Sequence, residues 1–537
     1  MIKENILKFW KGIQRKRLSA TCIRAYRYLQ INRQYKAYHF PDAEELEQQR
    51  TKSFPAEPKI SILVPLYKTP LVFLQEMIES VKAQTYGNWE LCLADGTAEP
   101  GEISDYMAAE KDPRIRYQLL NENGGISRNT NAALEMATGE YVALLDHDDL
   151  LVPSALFEVV KAINETAAEI LYTDEDKCDS ENKKLYMPHF KPDFNYIYFM
   201  CNNYICHFFT VRREIAEATG GFSLEYDGAQ DFDFILRCIE KSGKIYHIPK
   251  VLYHWRCHAA STALDPESKM YAYENGAKVV ADHYKRKGIE ATVEVLPETL
   301  GYYRSRFVAP PLHQVTVIQS GRGEALAAVQ EHLAEKYCIE QKDTAEINNR
   351  LKAIHTPFVL LIDGDMEPVQ SEELEDMLGY LIQQNVAAVS PEIVHKHHIQ
   401  YAGSITGIDH SAVYAFAGSY KTDKGYFNRA IMPQETMLGC GSCILMRMDL
   451  LQELGYLAED LSCNAAIAEY CLRCYEEKVC KTVYDAFVQV ESKKKLVLFE
   501  NAQEKNRFDA KWQKVLSQND RNYNVNLSQQ KNNYMLF

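Results

Sequence analysis

The chain has 537 residues, 46% hydrophobic and 25% charged, the composition of an ordinary globular protein of two to four domains. A net charge of −14 argues against a nucleic-acid binder, and no apolar run reaches the roughly 18 residues of a membrane span. Fourteen cysteines with no signal peptide before them favour free thiols in a reducing cytoplasm over disulfides or zinc, and 34 tyrosines suit polyhydroxylated ligands as well as core stacking.

Residues 1–56 read as a basic helical arm. The basic residues from Lys3 to Lys36 face only Glu4 before Asp42, with Ile2, Ile6, Phe9, Trp10 and Ile13 interleaved at roughly helical spacing. Such an arm can lie in a membrane interface, drawn by anionic lipid, or pack on its own domain with a solvated basic face. From 57 to 308 strand and helix patterns alternate. Lys59–Pro65 is an apolar strand ended by proline, followed by a helical spacing of Leu74, Met77, Ile78 and Val81. Trp89–Ala94 is a second strand, running into Asp95-Gly96. A helix over Ile126–Ala137 leads to the strand Tyr141–Leu145, which delivers Asp146-His147-Asp148. Pro153 opens another helix, and Ile170–Thr173 is a fourth strand. The alternation predicts a parallel α/β sheet. Its strand ends, carrying Pro65, Tyr67, Asp95, Asp146 and Asp148, converge on one crevice. No G-x-G-x-x-G and no P-loop accompanies them, so phosphates would be handled through a hard cation such as Mg2+ on the carboxylates.

The pattern recurs downstream. Asn131, Asp146-His147-Asp148 and Pro153 are matched by Asn348, Asp363-Gly364-Asp365 and Pro368 with the same Asn-to-Asp interval. Gly221-Phe222 and Arg237 are matched by Gly455-Tyr456 and Arg473. The repeat predicts duplication of a whole domain. It would divide the chain near Ala309-Pro-Pro311 into a domain at 57–308 and a second at 309–500. A C-terminal helix and tail would fill 501–537, loose over the Asn- and Gln-rich stretch from Gln518 to Asn533.

Ile62-Leu-Val-Pro-Leu-Tyr67, Leu93-Ala-Asp-Gly96, Asn123-Gly-Gly-Ile-Ser-Arg-Asn129, Asp146-His-Asp148, Gly228-Ala-Gln-Asp231 and Tyr253-His-Trp-Arg256 follow one another along residues 58–265. In order and spacing they resemble a family-2 glycosyltransferase of the GT-A, nucleotide-diphospho-sugar transferase fold. Tyr172-Thr-Asp-Glu-Asp-Lys177 and Lys191-Pro-Asp193 are similar to a subgroup that builds bacterial surface polysaccharides, often containing rhamnose. The resemblance implies that Asp231 is the catalytic base of an inverting reaction. It implies a nucleotide-sugar site of Pro65, Tyr67, Asp95, Arg128, Asp146 and Arg256, with Asp95 accepting from a pyrimidine N–H. It further implies Mn2+ or Mg2+ held by Asp148 and His254, with Asp174 and Asp176 as candidate acceptor contacts. Gln230 stands where the family has a second acid.

The second copy is expected to be a degenerate GT-A-like α/β domain. Thr316–Ser320 runs into Gly321 with no strand-end Asp-Gly, Ile467 falls at the position of the base, and no histidine lies near Val488-Gln-Val490. The implied activity is transfer from dTDP-rhamnose or a UDP-sugar to a glycan or lipid-linked glycan acceptor. The enzyme would be cytoplasmic and peripheral at the inner face of the cell membrane, docked through the basic arm, with no nucleic-acid partner. A non-catalytic glycan-binding or assembly subunit, or a polymerase with both copies active, stays open.

Overall fold

The computed structural model describes residues 20–258, 270–340 and 342–536. The arm's residues 1–19, including Lys3, Phe9 and Trp10, lie outside the described residues. The chain forms two compact units, one of residues 35–194 and 199–305, the other of residues 306–536 with 195–198 and 20–34. No helix among the described residues is long and apolar enough to cross a membrane.

The first unit is built on a mixed sheet. Its strands are β1 (Ile60–Leu66), β2 (Trp89–Asp95), β3 (Ile115–Leu119), β4 (Tyr141–Leu144), β5 (Leu150–Leu151), β6 (Ile170–Asp179), β7 (Leu185–His189), β8 (Thr210–Arg212) and β9 (Ile245–Cys257). They lie in the order β3-β2-β1-β4-β8-β6-β9-β5, with β7 beside β6. β1 is parallel to β2 and β4, and β6 to β9. The all-parallel expectation fails at β8, which is antiparallel to both β4 and β6. A parallel neighbour needs a crossover element. β8, only three residues long, instead returns antiparallel after the short helix Tyr196–Cys201. The helix Leu71–Lys82 buries Leu74, Met77, Ile78 and Val81 as their spacing predicts. β3 escapes the sequence because it alternates half-buried and exposed residues with no apolar run. β6 is longer than its apolar start suggests. Asp174, Glu175 and Asp176, which read as an acidic loop or an acceptor contact, continue the strand and are buried.

A two-stranded ribbon, β10 (Ala291–Val295) with β11 (Tyr303–Phe307), follows. The second unit contains β12 (Val315–Ser320), β13 (Glu335–Ile339), β14 (Phe358–Asp363), β15 (Val386–His395), β16 (His398–Tyr401), β17 (Ser404–Ile408), β18 (Ser411–Tyr414), β19 (Gln434–Thr436), β20 (Cys443–Arg447) and β21 (Lys481–Glu491). Its sheet order is β13-β12-β14-β20-β15-β21-β19. The first six repeat β2-β1-β4-β8-β6-β9 strand for strand, in the same relative directions.

The motif residues common to both copies hold this fold. Asn131 donates to Phe222 O at 2.8 Å and accepts from Phe222 N at 2.7 Å. Asn348 does the same to Leu457, at 2.8 and 3.0 Å. Arg237 caps the carbonyls of Thr219 and Gly221 and pairs with Asp233. Arg473 caps those of Leu454, Gly455 and Tyr456 and pairs with Glu469. Asn348→Ala leaves a buried N–H and C=O unpartnered and is expected to cost about 2 kcal/mol, read as a lower unfolding midpoint in urea.

The Asn-rich tail is packed, contrary to expectation. Asp520 accepts from Thr406 N at 2.8 Å, Asn532 donates to Tyr414 O at 2.9 Å, and Leu527, Tyr534 and Leu536 are buried. Its amides serve as partners for neighbouring backbone rather than for water. The helix Ala20–Tyr35 of the arm is also fixed: Arg27 is buried in a 2.6 Å ion pair with Asp423 and donates to Asn533 O, while Arg24 and Arg33 are exposed. None of the fourteen cysteines forms a disulfide. Cys440-Gly-Ser-Cys443 and Cys471-Leu-Arg-Cys474 have the spacing of zinc ligands, yet among the described residues no group of cysteines forms a cation-sized cluster.

Candidate active site

The carboxyl ends of β1, β2 and β4 lie side by side, because β1 pairs in register with both neighbours: Leu66 opposite Asp95, Leu63 opposite Leu144. Asp95 is buried at the end of β2, accepting from Thr97 N at 2.8 Å and Tyr117 OH at 2.9 Å. Tyr67, just past β1, is 43% exposed. It therefore presents a ring beside that strand end.

Beyond β4 the chain turns tightly, with Asp149 N donating to Asp146 O. Asp149 is buried and holds the turn from below. It accepts from Tyr253 OH and from Arg256 N, the latter at 2.7 Å. Burial, with Asp146 and Asp148 nearby, pushes its carboxyl well above the usual range. Arg256 is fully buried. It donates to Asp148 O at 2.6 Å and Ser180 O at 2.9 Å, pairs with Glu76 at 2.6 Å, and lies over the Phe73 ring. Its guanidinium is thereby enclosed by protein partners, whereas Arg128 is exposed on the helix Gly125–Met136 with only Glu122 at 3.2 Å.

Asp148 meets His258, whose Nε2 lies 2.7 Å from Oδ2. His254 points elsewhere, its Nδ1 2.5 Å from Asp176 Oδ1, and Tyr35 OH donates to the other oxygen of Asp176. Asp174 accepts from Lys191 N at 2.8 Å and lies 2.9 Å from His247 Nε2. Both Asp174 and Asp176 have no exposed surface. The histidines and lysine around them supply the partners that buried carboxylates require.

A cleft of about 80 Å³ opens over these strand ends, lined by Pro65, Thr130, Asp146, Cys206, His207 and Asp231 among others. Asp231 sits in the first turn of the helix Gln230–Lys241, and Gln230 accepts from Gly228 N at 2.8 Å, capping the approach. Burial raises Asp231 above the ordinary carboxylate range, and the His207 cation partly opposes the rise. His207 Nε2 is 3.8 Å from Asp146, its Nδ1 is 3.1 Å from Glu175, and its ring stacks on Tyr253 at 4.5 Å. Glu175 is held in turn by the fully buried Lys191 at 3.0 Å. Burial alone would lower His207, but Glu175, Asp146 and Asp149 outweigh it and hold the imidazole at about 9.

Of the residues expected at the site, Pro65, Asp146 and Asp231 line one cleft. Asp148 lies on the adjoining turn, Asp95 and Tyr67 at the adjoining strand ends, Arg128 on a separate shallow hollow, and His254 with Asp174 and Asp176 in buried networks. The sequence reading missed Asn203, His207, Glu175, Asp149 and His258. His258, four residues past His254 at the end of β9, was open to strand counting. Asn203 and His207 carry no strand-end or charge signature. Asp146, Asp149 and His207 bring their ligand atoms within 4.8 Å of one another, a group able to hold a cation.

The second unit keeps the scaffold without this chemistry. Asp363 accepts from Ser320 Oγ at 2.7 Å and Lys342 Nζ at 3.0 Å. Asp365 pairs with Lys494 at 2.5 Å. Two ammonium groups thus occupy the carboxylates. Aligning the Asp233–Arg237 and Glu469–Arg473 pairs sets Asp231 against Ile467, which is buried. Register does supply a counterpart to Asp95: Ser320 opposite Ile339 puts Glu340 there, where the sequence reading saw none. Its carboxylate is 89% exposed beside Arg322, unlike the buried Asp95.

The sequence model of glycosyl transferase family 2 matches residues 61–220. A protein of Sinorhizobium fredii, y4gI, is 31% identical over 474 residues, covering 78% of this chain and 51% of its own. The O-antigen biosynthesis protein RfbC of Myxococcus xanthus is 26% identical over 462 residues, covering 78% of this chain and 36% of its own. The chain thus spans about half the length of the first relative and about a third of the second. A solved structure of S. aureus TarS 1-349 in complex with UDP aligns over 42% of this chain and 65% of that one, with 18% identity and a TM-score of 0.34. Residues 61–220, which carry the strand-end carboxylates Asp95, Asp146 and Asp148, thus match the model of glycosyl transferase family 2.

Proposed function

We propose that the first unit is an inverting, metal-dependent glycosyltransferase. It would move a sugar from a pyrimidine nucleotide sugar, dTDP-rhamnose or a UDP-sugar, to a hydroxyl of a growing bacterial surface polysaccharide, lipid-linked at the cytoplasmic face of the membrane. The second unit would have no catalytic role. The observation that carries this reading is the single cleft that gathers Asp146, at the end of β4, and Asp231, on the opposing helix. A base and a donor-side carboxylate must flank the reacting carbon from two sides, and no further carboxylate in that lining offers a nucleophile.

Asp231 takes the acceptor hydroxyl's proton as that oxygen attacks the anomeric carbon, and the bond from carbon to diphosphate breaks in the same step. Asp95 accepts from the base N–H, with Pro65 and Tyr67 beside the nucleotide and Asp146 against the ribose. Arg128 reaches the diphosphate from the rim, while Arg256, enclosed beneath the turn, braces Asp148.

The donor set fits a hard divalent cation, Mn2+ or Mg2+. Asp148 Oδ2 and His258 Nε2, 2.7 Å apart, have the separation of adjacent ligands on one ion, and Asp146 stands on the same turn. Asp149 fits less well, since both of its oxygens already have partners. When bound, such an ion supplies Lewis-acid neutralisation of the diphosphate.

Thermal unfolding with Mn2+ and a panel of UDP-sugars and dTDP-rhamnose tests the reading. A donor at 100 times its Kd adds about 2.7 kcal/mol, roughly 5–10 °C for a unit of this size. The shift should be lost in Asp148→Asn. Absence of any metal-dependent shift and of nucleotide release across the panel would leave a glycan-binding subunit as the better account. Asp363→Asn with Asp365→Asn should leave transfer intact; loss of one of two linkages would instead mark two active copies.

A further inference from the structure

We infer that Asn203 is a positioning residue for Asp231, its side-chain amide holding one carboxylate oxygen so that the other faces the acceptor hydroxyl. This rests on the reading of Asp231 as the base. Asn203 Nδ2 donates to Asp231 Oδ2 at 2.9 Å, while its Oδ1 accepts from Cys206 N at 3.4 Å. That second contact fixes the orientation of the amide, because a flipped side chain would set N–H against N–H. The loop is anchored on both sides of Asn203. Asn202 donates to Gly301 O at 2.8 Å, and Tyr204 is buried, edge-on to Phe199 at 5.5 Å, with its N–H on Asn202 O. Asn203 therefore has little freedom to leave the carboxylate.

The arrangement has two chemical consequences. A neutral N–H donor stabilises the charged form of a carboxylate without transferring a proton itself. It also occupies the Oδ2 side, where Cys206 Sγ lies 3.8 Å away, so the remaining acceptor capacity lies on Oδ1. Burial works against the charged form of Asp231, and Asn203 offsets part of that. The titratable groups around Asp231 are Cys206 and His207 on the same loop, Asp146 after β4, and Tyr303 on β11. His207 favours the carboxylate by charge, and the Cys206 thiol and the backbone N–H groups of Asp231 and Phe232 favour it by hydrogen bonding, so loss of the Asn203 donor removes one of several supports and raises the carboxyl without neutralising it outright.

The test needs no substrate at its first stage. In the full-length chain labelled with [γ-13C]aspartate, the resonance removed by Asp231→Asn reports that carboxyl. In Asn203→Leu, which keeps the branched shape and removes the donor, it should titrate about one pH unit higher. In the isosteric Asn203→Asp, where a second carboxyl faces it, the midpoint should rise further. With whichever UDP-sugar or dTDP-rhamnose is turned over, the acid limb of kcat should move up by the same amount while the KM for donor holds. Folded Asn203→Leu and Asn203→Asp proteins with unshifted titrations would overturn the inference, leaving Asn203 a packing residue. If Asn203→Leu does not fold, Asn203→Asp alone decides it. Undiminished turnover by Asp231→Asn would remove the base reading, yet the titration shift would still report the contact.

Discussion

Asp231→Asn is expected to lower sugar transfer by about 10²–10⁴-fold while leaving the fold and the donor-induced thermal shift unchanged. The amide has the shape of the carboxylate, and its oxygen can still accept from Asn203 Nδ2, so the contact seen at 2.9 Å survives. What is lost is a group able to take a proton. The raised position of the Asp231 carboxyl suits this role, since a base acts best when its own pKa approaches the working pH. Asp233, two residues on, is the control. It is buried in a clamp with Arg237, so Asp233→Asn should lower stability rather than the chemical step. The readout is the initial rate of nucleotide release with the donor saturating, compared with unfolding midpoints for both variants. Turnover of Asp231→Asn within about threefold of the parent would exclude it as the base.

The difference between those two aspartates could not be read from one copy of the sequence. The duplication separates them. Asp233 and Arg237 recur as Glu469 and Arg473, each arginine capping the equivalent glycine carbonyl, Gly221 or Gly455, as Asn131 recurs in Asn348. Residues retained in both copies report the fold. Asp231, against the buried Ile467, reports chemistry that one copy carries and the other lacks. The strands of both sheets were legible where they are buried on both faces, as in β1 and β4, because burial demands a continuous apolar run. β3 was not, being half exposed. Strand-end acids were legible for a related reason: a charge directly after an apolar run must leave the sheet. Asp174 and Asp176 gave the same local signal but lie inside β6, paired with His247 and His254 from β9. Their partners come from 73 and 78 residues away, a separation that local pattern does not carry. Asn203 and His207 are hidden for the same reason. A loop between β7 and β8 brings an amide and an imidazole to the cleft, and neither residue has a periodicity to betray it.

The two arginines that the resemblance places in the nucleotide-sugar site should part in the same way under substitution. Arg256→Met is expected to cost about 3 kcal/mol, lowering the unfolding midpoint by roughly 10 °C. It removes the donors that Ser180 O and Asp148 O accept and leaves Glu76 without its cation. The cost sits at the low end for a broken buried pair because the Glu76 side chain is 39% exposed and can regain water. Glu76→Gln in the same chain should therefore recover only a minor part of it. The larger part is the turn itself, since the Arg256 side chain holds the Asp148 and Ser180 carbonyls, whereas its backbone N–H to Asp149 survives the substitution. With that brace weakened, Asp146 and Asp148 lose their fixed geometry, and Mn2+ affinity measured by calorimetry should fall along with stability. Arg128→Met should show the opposite pattern. That side chain is 56% exposed with one weak ion pair, which contributes less than about 1 kcal/mol, so the midpoint should hold while the KM for donor rises. A stable Arg256→Met protein that had lost only donor affinity would return Arg256 to the phosphate. A destabilised one with Mn2+ binding impaired identifies it as the strut beneath the carboxylate turn.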